Sequence, residues 1–208
     1  MSGMKKAIHL ILIIAGILCI SVAIGLTSYN IYESYRANKQ ADAVLKRLET
    51  AIFEKDKVTQ NGIDNPDYIT HPDMEMPTIE IDGRQYIGHL EIPDLNLHLP
   101  VAAGEFNLKT LLKSPALYSG SVYKNNMVIA AHNYNSHFGR LKKLDIGAKV
   151  IFVDAEGNIF NFVTASSEIL YPSNCNELLA EGSWQLTLFT CTYNGKKRFV
   201  LRCVSDES

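Results

Sequence analysis

Three residues in the C-terminal half of this 208-residue chain are of types that together could carry out nucleophilic acyl transfer. Cys191 closes the strand-like run Leu186–Cys191, just before the Asn194-Gly195 turn. A thiol at a strand end is partly exposed, whereas one in mid-strand is buried and inert. Arg198 lies seven positions further on and opens the return run to Val204. Antiparallel strands joined by a short loop place such residues near one another. A guanidinium beside a cysteine favours thiolate and can stabilise an oxyanion. His132 follows the apolar run Met127–Ala131, where a buried strand meets a loop. Its imidazole could exchange a proton with the thiol and protonate a leaving amine. Each residue alone has an ordinary reading: a core cysteine, a solvated arginine, a structural histidine. Among the other histidines, His9 lies in an apolar run, and His71, His89, His98 and His137 compete for the same role, His137 most closely.

The elements that must position these groups are short strands. From Thr78 onward period-two alternation dominates: Leu95, Leu97, Leu99 and Val101 point one way, Asn96 and His98 the other. Met127–Ala131 suits a buried strand, and Val150–Val153 and Ile159–Val163 flank a Gly157-containing hairpin loop. Trp184–Thr192 and Arg198–Val204 form a last pair, joined by Tyr193–Lys197. Helical pattern is confined to pieces near Asn107–Lys113 and Cys175–Ala180. Many short strands with turn signals between them indicate an all-β barrel or sandwich.

At the other end, Lys5 and Lys6 precede the apolar stretch Ala7–Leu26. Twenty helical residues at about 1.5 Å each cover the roughly 30 Å of a hydrocarbon core. Ser21-Val22-Ala23 would pass as a signal-peptide cleavage site, but the run is long for a signal h-region, so a transmembrane anchor is expected. Bulky Leu18 before Cys19 argues against lipoprotein processing. Orientation stays open on charge alone, since Lys5 and Lys6 at one end face Arg36 and Lys39 at the other. Tyr29 to about Phe53 is helix-favouring, with Ala37, Ala41, Val44, Leu45 and Leu48 at helical spacing. Asn61–Pro77, rich in Asn-Gly and X-Pro pairs, marks a linker. The expected organisation is residues 1–28 as cytoplasmic tip and membrane anchor, 29–77 as stalk and linker, and 78–208 as the barrel.

Composition narrows the function. An apolar share of 47% can bury a core. Net charge is −2, or −4 without Lys5 and Lys6, and no basic stripe is visible, which excludes nucleic acid as the main partner. None of the four cysteines forms a C-x-x-C pair, so no metal or cofactor is expected; a zinc site on His132, His137 and a cysteine suffers from spacing awkward for helix or strand. A Cys175–Cys203 disulfide is conceivable, but spacing does not decide it.

These segments resemble the sortases. Thr187-Leu188-Phe189-Thr190-Cys191 matches their T-L-x-T-C signature, and Arg198–Leu201 looks like their arginine-led final strand. Val128–Asn133 resembles the strand delivering the family's histidine, Ile87–Val101 its first barrel strands, and Phe138–Gly147 the segment after the histidine. The similarity runs from about Ile79 to Val204 in matching order. Ala131 stands where many sortases carry Gly, and Ala148 where an acidic residue is common. The short Cys175 region lacks the helical insertion of class B; no second apolar run or D-P-aromatic lid points to the pilin-polymerising class C.

The resemblance implies a closed eight-stranded barrel with short helices behind a transmembrane helix. It implies a membrane-bound cysteine transpeptidase on the extracellular face, N-terminus inside. Such an enzyme cleaves an LPxTG-like sorting signal on secreted proteins and passes the acyl group to an amine of a lipid II-type cell-wall precursor. Cys191 would be nucleophile, His132 proton-transfer partner, Arg198 oxyanion helper, and Thr190 a substrate contact. Sorting sequence, acceptor amine, subclass and calcium dependence are not specified. The rival readings are a non-catalytic extracellular β-barrel binding domain, a hydrolytic cysteine protease and a pilin-type sortase.

Overall fold

The computed structural model describes residues 2–59, 66–104, 107–180, 182–192 and 195–206. Helix α1 (Ser2–Thr59) runs unbroken through both segments that the sequence divides into anchor and stalk. It contains no proline, and Ser21 and Thr27 donate their hydroxyls back to the carbonyls of Ile17 and Ala23. Polar side chains satisfied within their own helix suit an apolar environment. The chain divides into two compact units, the second starting at Ala37. In the first, the large apolar side chains from Ile8 to Leu26 are all exposed. This helix is long and apolar enough to cross a membrane.

The second unit holds the remaining part of α1, the short helices α2 (Asp67–Thr70) and α3 (Leu108–Leu111), and nine strands. These are β1 (Ile79–Ile81), β2 (Arg84–Ile92), β3 (Leu97–Ala102), β4 (Ala116–Ser119), β5 (Met127–Ala130), β6 (Lys149–Asp154), β7 (Ile159–Leu170), β8 (Leu186–Cys191) and β9 (Arg198–Ser205). They follow the order β1-β2-β3-β4-β5-β8-β9-β7-β6, and a β2–β6 pairing closes β2 to β9 into an eight-stranded barrel. Closure needs β2 to serve two partners. It bends at a bulge between Tyr86 and Gly88, and Gly88 sits at φ 145° with the Val153 carbonyl where a Cβ would be. Only glycine permits so close a backbone approach.

Alternation fills the interior with Leu90, Leu99, Met127, Ile129, Val150, Phe152, Leu186, Leu188 and Leu201, joined by Phe138 and Leu141 from the 3₁₀ turn after β5. The stalk residues from Ala37 on are part of this unit: Leu48 and Ile52 of α1 pack on Ile81, Tyr86, Ala102 and Ala116. The region expected as a linker is partly built in as well. Tyr68 of α2 stacks on Tyr123 with centroids 4.6 Å apart, and Met74 and Met76 pack on the core, while residues 61–65 lie outside the described residues.

Two polar networks brace the shell. Asp154, fully buried, accepts from the Tyr123 hydroxyl, the Asn158 side chain and the backbone N–H groups of Glu156 and Asn158. Arg202, 2% exposed, pairs with Glu168 and donates to Thr187 and to the carbonyls of Glu177 and Leu178. It thereby ties the 3₁₀ segment Pro172–Leu179 to the barrel wall. Strand β7 is longer than its apolar pattern indicates, because its polar half beyond Val163 pairs with β9 out to Leu170. Cys203 is a free thiol, so the conceivable Cys175–Cys203 bridge is not formed; the Cys175 side chain lies outside the described residues. Cys203 is fully buried, and burial pushes its thiol up to about 12.

Leu48→Ala is expected to cost about 2–5 kcal/mol, the usual range for a buried leucine, because Leu48 is 0% exposed. Urea unfolding of the full chain in detergent, followed through the single Trp184, measures it.

Candidate active site

The parallel pairing of β5 with β8 sets the site. Ala130 lies beside Phe189, and the Ala131 N–H continues the ladder to the Phe189 carbonyl at 3.2 Å. One step on, the Thr190 hydroxyl donates to the Ala131 carbonyl at 2.9 Å. The in-register continuation sets His132 next to Cys191, since neighbouring strands stand about 4.8 Å apart. On the other side of β8, Cys191 and Arg198 are direct antiparallel partners.

Side-chain alternation decides the face. Met127, Ile129, Ala131, Leu186, Leu188 and Leu201 belong to the barrel interior. Val128, Ala130, Phe189 and Val200 belong to a second cluster outside it, with Leu170 and Leu178. His132, Cys191 and Arg198 share the parity of that outer set, so alternation directs all three to one face of the sheet, at the rim above an apolar floor. Each is half-buried.

The surroundings define what each group can do. Cys191 is a free thiol. Burial lowers the His132 pKa below its ordinary value, so the imidazole is neutral at neutral pH and can accept a proton. Its ring meets Tyr134 edge-on with centroids 4.2 Å apart. The Phe138 N–H closes the loop onto the His132 carbonyl, and Phe138 and Leu141 anchor that loop in the core. Arg198 donates through Nη1 to the carbonyls of Gly195 and Lys197, both at 3.2 Å, which holds the guanidinium beside the turn. Tyr193 and Asn194, part of the predicted turn, lie outside the described residues.

Of the predicted site residues, His132, Cys191 and Arg198 are brought to one rim. Thr190 is placed differently: it is 4% exposed, and its hydroxyl proton is engaged by Ala131. Its position ties the thiol's strand to the histidine's strand. His137, the strongest rival histidine, is fully buried behind the site, with both ring nitrogens unpartnered. Burial, and secondarily His132, push it down to about 4. Tyr134, between the two imidazoles, was not singled out in the sequence; its aromatic position two residues after His132 was the available signal.

A barrel whose rim holds a thiol, an imidazole and a guanidinium is that of a cysteine acyl-transfer enzyme. The Sortase domain family matches residues 90–206, more than half of the chain. The chain is 27% identical over 179 residues to Sortase A of Bacillus anthracis, spanning 82% of each protein. Its fold is similar to a Clostridium perfringens Sortase D5 transpeptidase, with TM-score 0.58, 20% identity and coverage of 81% of this chain and 99% of that one. It is also similar to Sortase C of Streptococcus pneumoniae, with TM-score 0.56, 18% identity and coverage of 80% and 97%. The chain belongs to the sortase family, the cysteine transpeptidases that act on sorting-signal proteins and cell-wall precursors.

Two outcomes follow from burial. Under native conditions a methanethiosulfonate reagent is expected to label Cys191 and leave Cys203 unmodified, read by mass; equal rates would contradict the placement of Cys191 at the rim. The His137 pKa falls from 6.5 to about 4 on folding, so protonation favours the unfolded chain. Its contribution to stability is complete above 6.5 and is lost as pH falls toward 4. His137→Phe is expected to flatten the fall of the urea midpoint across that window.

Proposed function

We propose that this sortase joins secreted proteins bearing a C-terminal, LPxTG-like sorting signal to an amine of a lipid II-type cell-wall precursor. The observation that supports this reading is the register of β8, which pairs Cys191 with Arg198 on one side and, carried two residues past the Ala130–Phe189 pair on the other, leads toward His132.

His132, neutral through burial, takes the proton of the Cys191 thiol. The thiolate attacks the carbonyl carbon of the Thr–Gly bond in the signal. Arg198, held over the end of the strand by the Gly195 and Lys197 carbonyls, stabilises the oxyanion of the tetrahedral intermediate. The intermediate collapses with cleavage of the C–N bond, and His132 gives its proton to the departing glycine amine. The acyl group then rests on Cys191 as a thioester. The acceptor amine attacks this thioester, passes a proton to His132, and forms a new amide as the thiolate leaves. Thr190 acts as a positioning residue by fixing the separation of the two strand ends through Ala131.

The apolar part of α1 serves as a single-pass anchor, with the N-terminus inside and the barrel on the extracellular face. There, exported substrates and lipid-linked precursors are both within reach.

The test incubates the full chain in detergent with sorting-signal peptides, with and without an amine acceptor, and weighs the products. The expected product in the presence of amine is the amide. Cys191→Ala is expected to form none, and Arg198→Ala to turn over about 10²–10³-fold more slowly, the usual effect of losing one oxyanion donor. Hydrolysis alone, unaffected by any acceptor amine, would replace transfer by proteolysis. Thr190→Val is expected to lower kcat more than it changes KM.

A further inference from the structure

A second cluster of chemistry-bearing side chains lies on the barrel wall away from β8, where the helix crosses β2 and β3. Glu49 of α1, His89 of β2 and His98 of β3 bring one ligand-type atom each to within 4.8 Å of one another. The sheet register accounts for this. Glu91 and His98 are direct partners in the β2–β3 pair. His89 precedes Glu91 by two positions and therefore points from the same face of β2. That face is the one covered by α1, and Glu49 reaches down to it: its Oε1 lies 3.4 Å from His98 Nε2. Glu91 Oε1 lies 3.4 Å from the Nε2 atoms of both His89 and His98.

An ordinary histidine–carboxylate ion pair fits these atoms poorly. Charge-assisted N–H···O bonds run at about 2.7–2.9 Å, and these separations are longer. His98 Nε2 and His89 Nδ1 are buried without a hydrogen bond. His89 is 6% exposed. The donor set has instead the form of a metal centre: two imidazole nitrogens and one carboxylate oxygen, supplied by three separate elements. Ligands about 2.0–2.1 Å from a tetrahedral zinc stand roughly 3.3–3.4 Å from each other; His98 and Glu49 already lie 3.4 Å apart, and the ligand atoms of Glu49, His89 and His98 all fall within 4.8 Å of one another. Imidazole donors select first-row transition ions over calcium or magnesium, which prefer all-oxygen cages.

We propose that Glu49, His89 and His98 bind one divalent transition cation of the zinc class and so pin helix α1 to strands β2 and β3. The strand order places β4 and β5 between this cluster and β8, so the ion takes no part in acyl transfer. It cross-links residues forty positions apart in sequence, and its effect falls on the stability of the helix–barrel contact made by Leu48 and Ile52.

The experiment titrates the full chain in detergent with Zn²⁺, using equilibrium dialysis with metal analysis and the thermal midpoint seen by Trp184 fluorescence. Cys191→Ala serves as the parent, which removes the other thiol–imidazole pair able to hold zinc. The expected result is one Zn²⁺ per chain with a raised midpoint. His98→Gln and Glu49→Gln, at side chains 36% and 41% exposed and so tolerant of change, are each expected to weaken binding at least about tenfold. Calcium at the same concentration is expected to leave the midpoint unmoved. The proposal is overturned if the parent binds no zinc, if both variants bind as tightly as the parent, or if calcium shifts the midpoint in a His98-dependent way.

Discussion

The pairing of β5 with β8 in parallel is the constraint from which the site follows. Parallel neighbours leave the sheet at the same edge, whereas antiparallel ones leave at opposite edges. Residues 59 positions apart, Ala131 and Thr190, are therefore joined at the point where both strands end, and the next residue of each is the one with chemistry. A barrel lacking this one parallel contact would carry the imidazole and the thiol to opposite ends. The chain between β5 and β8 must travel back to the starting edge, and β6, β7 and the Pro172–Leu179 segment fill that return.

Energetically, the rim is supported from beneath by apolar packing and from the side by a buried charge. Phe138 and Leu141, both fully buried, hold the loop after His132 at its far end, so the imidazole is pinned between a strand and an anchored turn. Arg202 is the largest fully buried side chain, and its Trp184, Glu168, Thr187 and backbone contacts satisfy it from several directions. Breaking a buried ion pair by removing one partner leaves a stranded charge, so Glu168 and the Glu177 and Leu178 carbonyls of the Pro172–Leu179 segment are all needed to satisfy Arg202. The same alternation that puts Arg202 under that segment puts Arg198 at the rim, two positions apart twice over on one strand.

Much of this was legible in the chain because it depends on local patterns. Alternation at Leu97–Val101 and the apolar runs Met127–Ala130 and Leu186–Cys191 identify strands whose faces the structure retains. Cys191, His132 and Arg198 could be chosen because each sits where such a pattern stops. Strands β1 and β4 and the outer half of β7 carry no such signal, since three or four residues give too short a period and Ser166-Ser167-Glu168 looks like loop; their pairing is supplied by partners distant in sequence. Thr190 illustrates the same limit. The bond of its hydroxyl to Ala131 could not be read from the motif, because the accepting carbonyl belongs to another strand. The Glu49, His89 and His98 cluster is invisible to spacing rules because its members meet only through sheet register and helix packing.

The extended part of β7 has a consequence for solubility. Beyond Thr164, whose N–H and carbonyl still bond to Ala148 and Gly147, it pairs with β9 on one side, and β6 has already ended on the other. An otherwise closed barrel thus has one place where a stray extended chain could add itself as a further strand. The side chains there are exposed serines, Glu168 and the apolar Ile169, and a bulge between Thr164 and Ser166 twists the strand. The bulge and the charge of Glu168 work against copies of this strand adding themselves edge to edge.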